Sequence, residues 1–161
     1  MNIFVLDSDP RVAARSLCGK HVGKMLIEST QILCTNLLLS GVDPKLVPYK
    51  KTHANHPCTK WARECDANAN WLLQHALELA DEFKRRFGKT HKTSLALGCV
   101  VGLLPHADWR KHTQFVTAMP QEWKTPEDPV TSYRCYYVAE KSVFAKWAPH
   151  VKPPSWWPFG E

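Results

Sequence analysis

CGKHVGKMLIESTQILCTN (Cys18 to Asn36) has the length and apolar content of a buried helix. Its apolar positions Val22, Leu26, Leu33 and Leu37 recur at helical spacing and predict a helix over about residues 20–39, stopped at Gly41. The same stretch also carries His21, Lys24, Glu28 and Gln31. At about 100° per residue these four side chains fall in one sector of roughly 80°. The polar stripe has two readings. It is either a solvated face with a Lys24–Glu28 contact at i, i+4, worth a few tenths of a kcal/mol, or the floor of a cleft flanked by Met25 and Ile32, where a carboxylate serves as acid or base.

Outward from this helix the pattern stays helical. Asp9 can cap a short helix over about 10–18 whose first residue is Pro10. THANHPC opens a further helical region, and NANWLLQHALELADEFKRRFG predicts a second long helix at 70–87. There Leu72, Ala76, Leu79, Phe83 and Phe87 form an apolar stripe that Gly88 ends. LALGCVVGLL fits helix or strand equally. TAMPQEWKTPEDPV reads as a loop, TSYRCYYVAEKSVFAKWA as a last helix, and VKPPSWWPFGE, with residues 152–161 rich in proline and tryptophan, as a non-helical tail. NIFVL alone reads as extended. The expected fold is mainly α, one compact helical domain over residues 1–161 with a short extended N-terminal segment.

Length and composition agree. The 161 residues suit one core, and 44% hydrophobic with 22% charged content is globular, not disordered. No apolar run is long enough to span a membrane, and MNIFVLDSDP lacks the pattern of a signal peptide. Six cysteines without regular spacing suit buried thiols in the cytoplasm. A net charge of +6 favours a polyanionic partner, and seven tryptophans supply rings that could stack on bases.

Chemistry has three candidate places besides absent motifs. There is no P-loop, no GxGxxG and no GxSxG elbow. The polar stripe is the first place. In THANHPCTKWARE, His53, His56, Cys58 and Cys65 are zinc-ligand types, but HxxHxC fits no common zinc pattern, so no metal or other cofactor is expected. His56 and Arg63 are instead expected to face one cleft, with Trp61 packing beneath. In SYRCYYVAEKSVFAKW, Tyr133, Arg134, Tyr136, Tyr137, Lys141 and Lys146 interleave rings and cations. That suits a nucleic-acid backbone with stacking, or an amphipathic helix with buried rings.

Three stretches, in order, together resemble the phage pyrimidine-dimer DNA glycosylases, often called endonuclease V. NIFVL followed by His21 and, seven residues later, Glu28 resembles the family's N-terminal segment and first long helix. His56 followed by the run from Trp71 to Gly88 resembles its next helix. AMPQEWK (Ala118 to Lys124) and YRCYYVAEK (Tyr133 to Lys141) resemble its Pro-Gln-Glu-aromatic loop and tyrosine-rich basic segment. The resemblance implies a DNA glycosylase with AP-lyase activity on damaged or modified pyrimidines in double-stranded DNA, acting as a monomer. The nucleophile would be the terminal α-amine, which attacks C1′ and forms an imine before β-elimination. An α-amine titrates near 8, well below lysine, so part of it is neutral at pH 7. Asn2 is not small, so Met1 should stay and supply that amine. The implied catalytic set is Met1, Glu28, His21 and Lys24. The implied DNA surface is Asn2, Gln31, His56, Lys60, Arg63, Tyr133, Arg134, Tyr136, Lys141 and Lys146. Lys24 stands where the family has arginines. That departure leaves open a base-modifying enzyme or a non-catalytic DNA-binding module on the same fold.

Overall fold

The computed structural model describes residues 1–125 and 127–160. Pro126 of the proline-rich loop and Glu161 of the tail lie outside the described residues. Among the described residues six α-helices follow one another: α1 (Pro10–Ser16), α2 (Gly19–Leu39), α3 (Pro57–Glu64), α4 (Asp66–Phe87), α5 (Thr93–Val101) and α6 (Pro129–Lys141). Single 3-10 turns occur at Trp109–Lys111 and Gln121–Trp123. The described residues contain no strand, and residues 1–6 run as irregular extended chain.

Local chemistry sets the helix ends. The Asp9 carboxylate accepts from the Arg11 and Val12 amides at 2.8 and 3.3 Å, with Pro10 in the first turn. Gly88, at φ 67°, caps α4 in the left-handed conformation that side chains resist. Asp128 caps α6 through the Thr131 amide at 2.9 Å. The undecided LALGCVVGLL segment lies largely in α5. Two expectations need correction. The last helix starts earlier and stops at Lys141, because residues 142–146 turn back onto the start of α2, where the Lys146 carbonyl accepts from the Gly19 amide at 2.8 Å. Phe87 is 41% exposed and rests on Phe83 instead of entering the core.

Helix α2 is the axis of the molecule and packs on α3, α4 and α5. Consequently it is buried on most sides, including His21, Ser29, Thr30 and Thr35 as well as its apolar face. Gly23 lets α4 approach closely, since a Cβ there would lie 3.1 Å from the Phe83 ring, which would have to shift by a few tenths of an ångström. Behind this crossing, Trp61, Trp71 and Phe115 pack together, and the Trp71 indole donates to the Ser8 carbonyl at 2.8 Å. Asn68 holds the 105–116 segment against α4 through Thr113, and Asn70 does so through the Pro105 carbonyl.

The corner between α1 and α2 is fixed electrostatically. Arg86, buried in α4, pairs with Glu82 at 2.6 Å and donates to the Leu17 and Arg15 carbonyls at 2.6 and 2.7 Å. Arg86→Met leaves Glu82 paired with Arg85 but strands the Leu17 and Arg15 carbonyls, so it should destabilise the protein by about 1–3 kcal/mol, read as a lower midpoint in urea.

Two buried histidines predict an acid response. His75 has no hydrogen-bond partner at either ring nitrogen, and burial pushes its pKa down to about 3. Burial, with nearby lysines, pushes His21 down to about 4. Each ring is neutral when folded and protonates near 6.5 when unfolded, so the unfolded chain binds more protons as pH falls. Stability should therefore be full above pH 6.5 and decline toward pH 4, by about 2 kcal/mol per histidine at pH 5. His75→Phe should flatten that slope in thermal melts recorded across the range.

Candidate active site

The polar stripe of α2 meets the start of the chain. The Asn2 amide donates to Glu28 Oε2 at 2.7 Å, the Met1 amine nitrogen lies 4.0 Å from the same oxygen, and Lys24 Nζ lies 4.0 Å from Oε1. The Glu28 side chain is 16% exposed, so the carboxylate forms a floor that solvent still reaches. The Met1 side chain is only 3% exposed while the residue as a whole is half-buried, so what Met1 shows to solvent is main chain. Its sulfur accepts from Thr59 Oγ1 at 3.8 Å. Gln31 continues the stripe, half-buried, while Lys24 is exposed.

The first residues are held from several directions. Asn2 Oδ1 accepts from the Ile3 and Phe4 amides at 2.8 and 3.0 Å, and its Nδ2 donates to the Ala118 carbonyl at 2.8 Å. The Asn2 side chain thus fastens the chain to the Pro-Gln-Glu loop. Phe4 takes a positive φ of 44° and inserts its ring between His21 and Tyr136, with centroids at 5.0 and 6.3 Å. Arg134 donates from Nε to the Leu6 carbonyl at 2.8 Å and pairs with Asp7 at 3.0 Å. Sequence reasoning missed the anchoring roles of Thr59 and Asp7. Asn2 carried a faint signal, because asparagine commonly closes turns of this kind on its own backbone.

Two sequence-level assignments are corrected. His21 is buried, stacked on Phe4, and paired through Nδ1 with the Tyr137 hydroxyl at 2.7 Å. Kept neutral and away from solvent, it packs against Phe4 and shows almost no surface to a substrate. Tyr133 is fully buried; its hydroxyl donates to the Val116 carbonyl at 2.9 Å and accepts from the Ala118 amide at 3.1 Å. It cannot stack on a base. Tyr137 is equally buried, its hydroxyl accepting from the Cys18 amide. The alternation of rings and cations in α6 therefore turns two tyrosines inward and leaves Tyr136 and Lys141 toward the surface, the Lys141 ammonium 4.8 Å from the Tyr136 ring centroid.

The remaining residues border the site. His56 caps α3, its Nδ1 accepting from the Cys58 amide at 3.2 Å, which puts any ring proton of the neutral form on Nε2. Burial lowers its pKa, and the positive chain terminus lowers it further. Arg63 donates to the Ala54 carbonyl at 2.6 Å and so pins the 53–56 loop. Lys60 and Lys146 are exposed. Burial pushes the Cys58 thiol up to about 11, so it stays protonated beside the site. Among the described residues no three His, Cys, Asp or Glu side chains converge as a metal ion would require, and His53, His56, Cys58 and Cys65 form no cluster.

The family model described as pyrimidine dimer DNA glycosylase matches residues 1–95. The match covers more than half of the chain, from Met1 through α4, and includes Glu28 and the whole anchored N-terminus. No curated protein and no solved structure shows significant similarity to the chain.

Arg134 spends its guanidinium on the N-terminal segment, and its carbon Cζ lies 5.5 Å from the Trp156 ring centroid. Arg134→Ala should therefore lower melting temperature by loosening residues 6–7, a loss of roughly 1–3 kcal/mol. The slope of log affinity against log salt on DNA should change by less than the unit expected for a free phosphate contact.

Proposed function

Since the chain belongs to the pyrimidine dimer DNA glycosylase family, we propose that it excises damaged or modified pyrimidines from double-stranded DNA and then cuts the strand as an AP lyase, with the Met1 amine as nucleophile. The observation that carries this reading is the pairing of the chain start with one carboxylate, Met1 N at 4.0 Å and Asn2 N–H at 2.7 Å from Glu28 Oε2.

In this mechanism the lone pair of the neutral amine attacks C1′ of the damaged nucleotide, and the base departs with the glycosidic electrons. The nitrogen then loses a proton, the C1′–O4′ bond opens with its electrons leaving on O4′, which takes up a proton, and a protonated imine links protein to sugar. Abstraction of a proton from C2′ expels the 3′ phosphate by β-elimination, and water releases the protein. In this reading Glu28 receives the proton shed by the amine and stabilises positive charge on the sugar. The Lys24 ammonium, exposed and beside the same carboxylate, suits contact with a flanking phosphate. The target nucleotide must leave the base stack to reach this floor. Absence of a Met1 residue would make the Asn2 nitrogen the terminal amine, already within hydrogen-bond distance of Glu28. All six cysteines are free thiols, which supports work in the cytoplasm.

Borohydride trapping tests the reading. The untagged protein, incubated with duplexes carrying a thymine dimer or an abasic site, should give a covalent adduct and strand cleavage. The adduct should map to the first peptide, and its mass should show whether Met1 or Asn2 is linked. Acetylation of the N-terminus should abolish trapping while DNA binding survives. Glu28→Gln should reduce cleavage by at least about 100-fold, in line with loss of a positioned acid–base group. Normal trapping by the acetylated protein would overturn the assignment of the amine, and Lys24 or Lys20 would then be the group to test.

A further inference from the structure

Beyond the family-matched residues, the C-terminal segment lines a half-open cavity of about 930 Å3. Its walls include Lys146, Trp147, His150, Lys152, Trp157 and Phe159. We infer that this cavity is a nucleotide-binding site, taking one unstacked nucleotide with its base on the aromatic wall and its phosphate on the lysines. The inference rests on the DNA-directed reading above but concerns a different part of the surface.

Four observations support it. The ionisable side chains among the described lining residues are Lys146, His150 and Lys152, with no carboxylate among them, so the cavity selects an acceptor-rich or anionic ligand. The aromatic wall is built in advance: Trp147 and Trp157 meet edge to face at 4.9 Å, and Phe159 leans on Trp157 at 5.3 Å. Trp157 is buried as their support, while Phe159 is 62% exposed and free to take a base on its face. The Trp147 indole N–H has no partner, and this donor-only group is the kind that a base carbonyl or phosphate oxygen satisfies.

Position is the fourth. Residues 142–146 form one side of the cavity and also dock on the start of α2, through the Lys146 carbonyl to Gly19 and through Phe144, which lies 4.6 Å from Lys20 Nζ and 5.4 Å from the His21 ring. From Gly19 to Glu28 along α2 is about 14 Å at 1.5 Å per residue. A strand rising about 3.4 Å per nucleotide covers that in roughly four steps. A strand whose sugar sits at Glu28 therefore has neighbours within reach of the cavity. Proline at 149, 153 and 154 stiffens the wall and limits the entropy lost on binding.

The nucleotide could come from the bound strand or from free solution, and the test separates the two. Lys152 and Phe159 are exposed, so Lys152→Ala and Phe159→Ala should fold normally. The first arm uses an abasic duplex with 2-aminopurine placed, in turn, at each position within five nucleotides of the abasic site. Wild-type protein should change the probe's fluorescence by stacking at one of these positions. Each variant should weaken that response and the affinity roughly tenfold, while borohydride trapping persists. The second arm titrates a free deoxynucleoside monophosphate against tryptophan fluorescence of the full chain. Binding in this arm that both variants weaken identifies free nucleotide as the source, and a response in the first arm alone identifies the strand. If neither variant changes either arm, or if the wild type responds in neither, the cavity is no nucleotide site. Trapping in the same samples keeps the outcomes apart: trapping with unaltered variants sinks only this inference, whereas no trapping by wild type sinks the lyase reading and leaves the free-nucleotide arm to decide the cavity.

Discussion

The hydrogen bond from the Asn2 amide to Glu28 Oε2, 2.7 Å long, is the constraint around which the molecule is arranged. A chain end is ordinarily the least ordered part of a protein, because few contacts offset its conformational entropy. Here the end is held by groups from several elements: Glu28 from α2, Thr59 from α3, the Ala118 carbonyl before α6, and Arg134 from α6. None of these can act unless the helices are already packed. The site is therefore a product of tertiary structure, and its precision depends on distant features such as the Arg86–Glu82 pair that fixes where α2 begins.

Charge is distributed so that the carboxylate is the local exception. Lys20, Lys24 and Lys141 all act on His21 electrostatically, so positive side chains surround the first half of α2. Each exposed cation is worth little in a pairwise contact, yet together they bias a phosphate backbone toward this side of the molecule. His21 adds no charge to this field. Burial keeps it neutral, and it serves as a flat surface for Phe4 and a hydrogen-bond partner for Tyr137.

The helices were legible because their signals are local. The 3.6-residue periodicity of α2 and α4, the Asp9-Pro10 start and the Gly88 stop can be read from a few neighbouring residues, and the structure has them. Helix α5 was undecidable for a matching reason: with Leu95, Cys99 and Val101 exposed as well as Leu97 and Val100 buried, it has no polar face to set a period. The place of Glu28 came from the polar stripe and the family resemblance together. His21 misled, since a histidine in that stripe looks the same whether it meets solvent or a tyrosine 116 residues away. Tyr133 misled likewise, because spacing within one helix says nothing about which neighbour covers it. Asn2 was named for DNA, but its amide atoms hold the backbone of Ile3 and Phe4 and the Ala118 carbonyl.

Phe4 shows how the anchored end is stabilised against its own strain. A φ of 44° is unfavourable for a side chain of this size, by roughly 1–2 kcal/mol. The turn it produces lets the ring enter the core while the chain before it runs past Glu28. Burying a phenylalanine contributes about 1.5–3 kcal/mol, and favourable aromatic pairs add about 0.5–1.5 kcal/mol each. Phe4 is 5% exposed and meets His21, Tyr133, Tyr136 and Tyr137. The gain exceeds the strain, so the left-handed residue is where the fold converts ring packing into the position of a main-chain amine. Aromatic residues of α6 that look in sequence like a DNA-stacking surface thus act on the candidate site from the inside, by fixing the turn that delivers the chain start to its carboxylate.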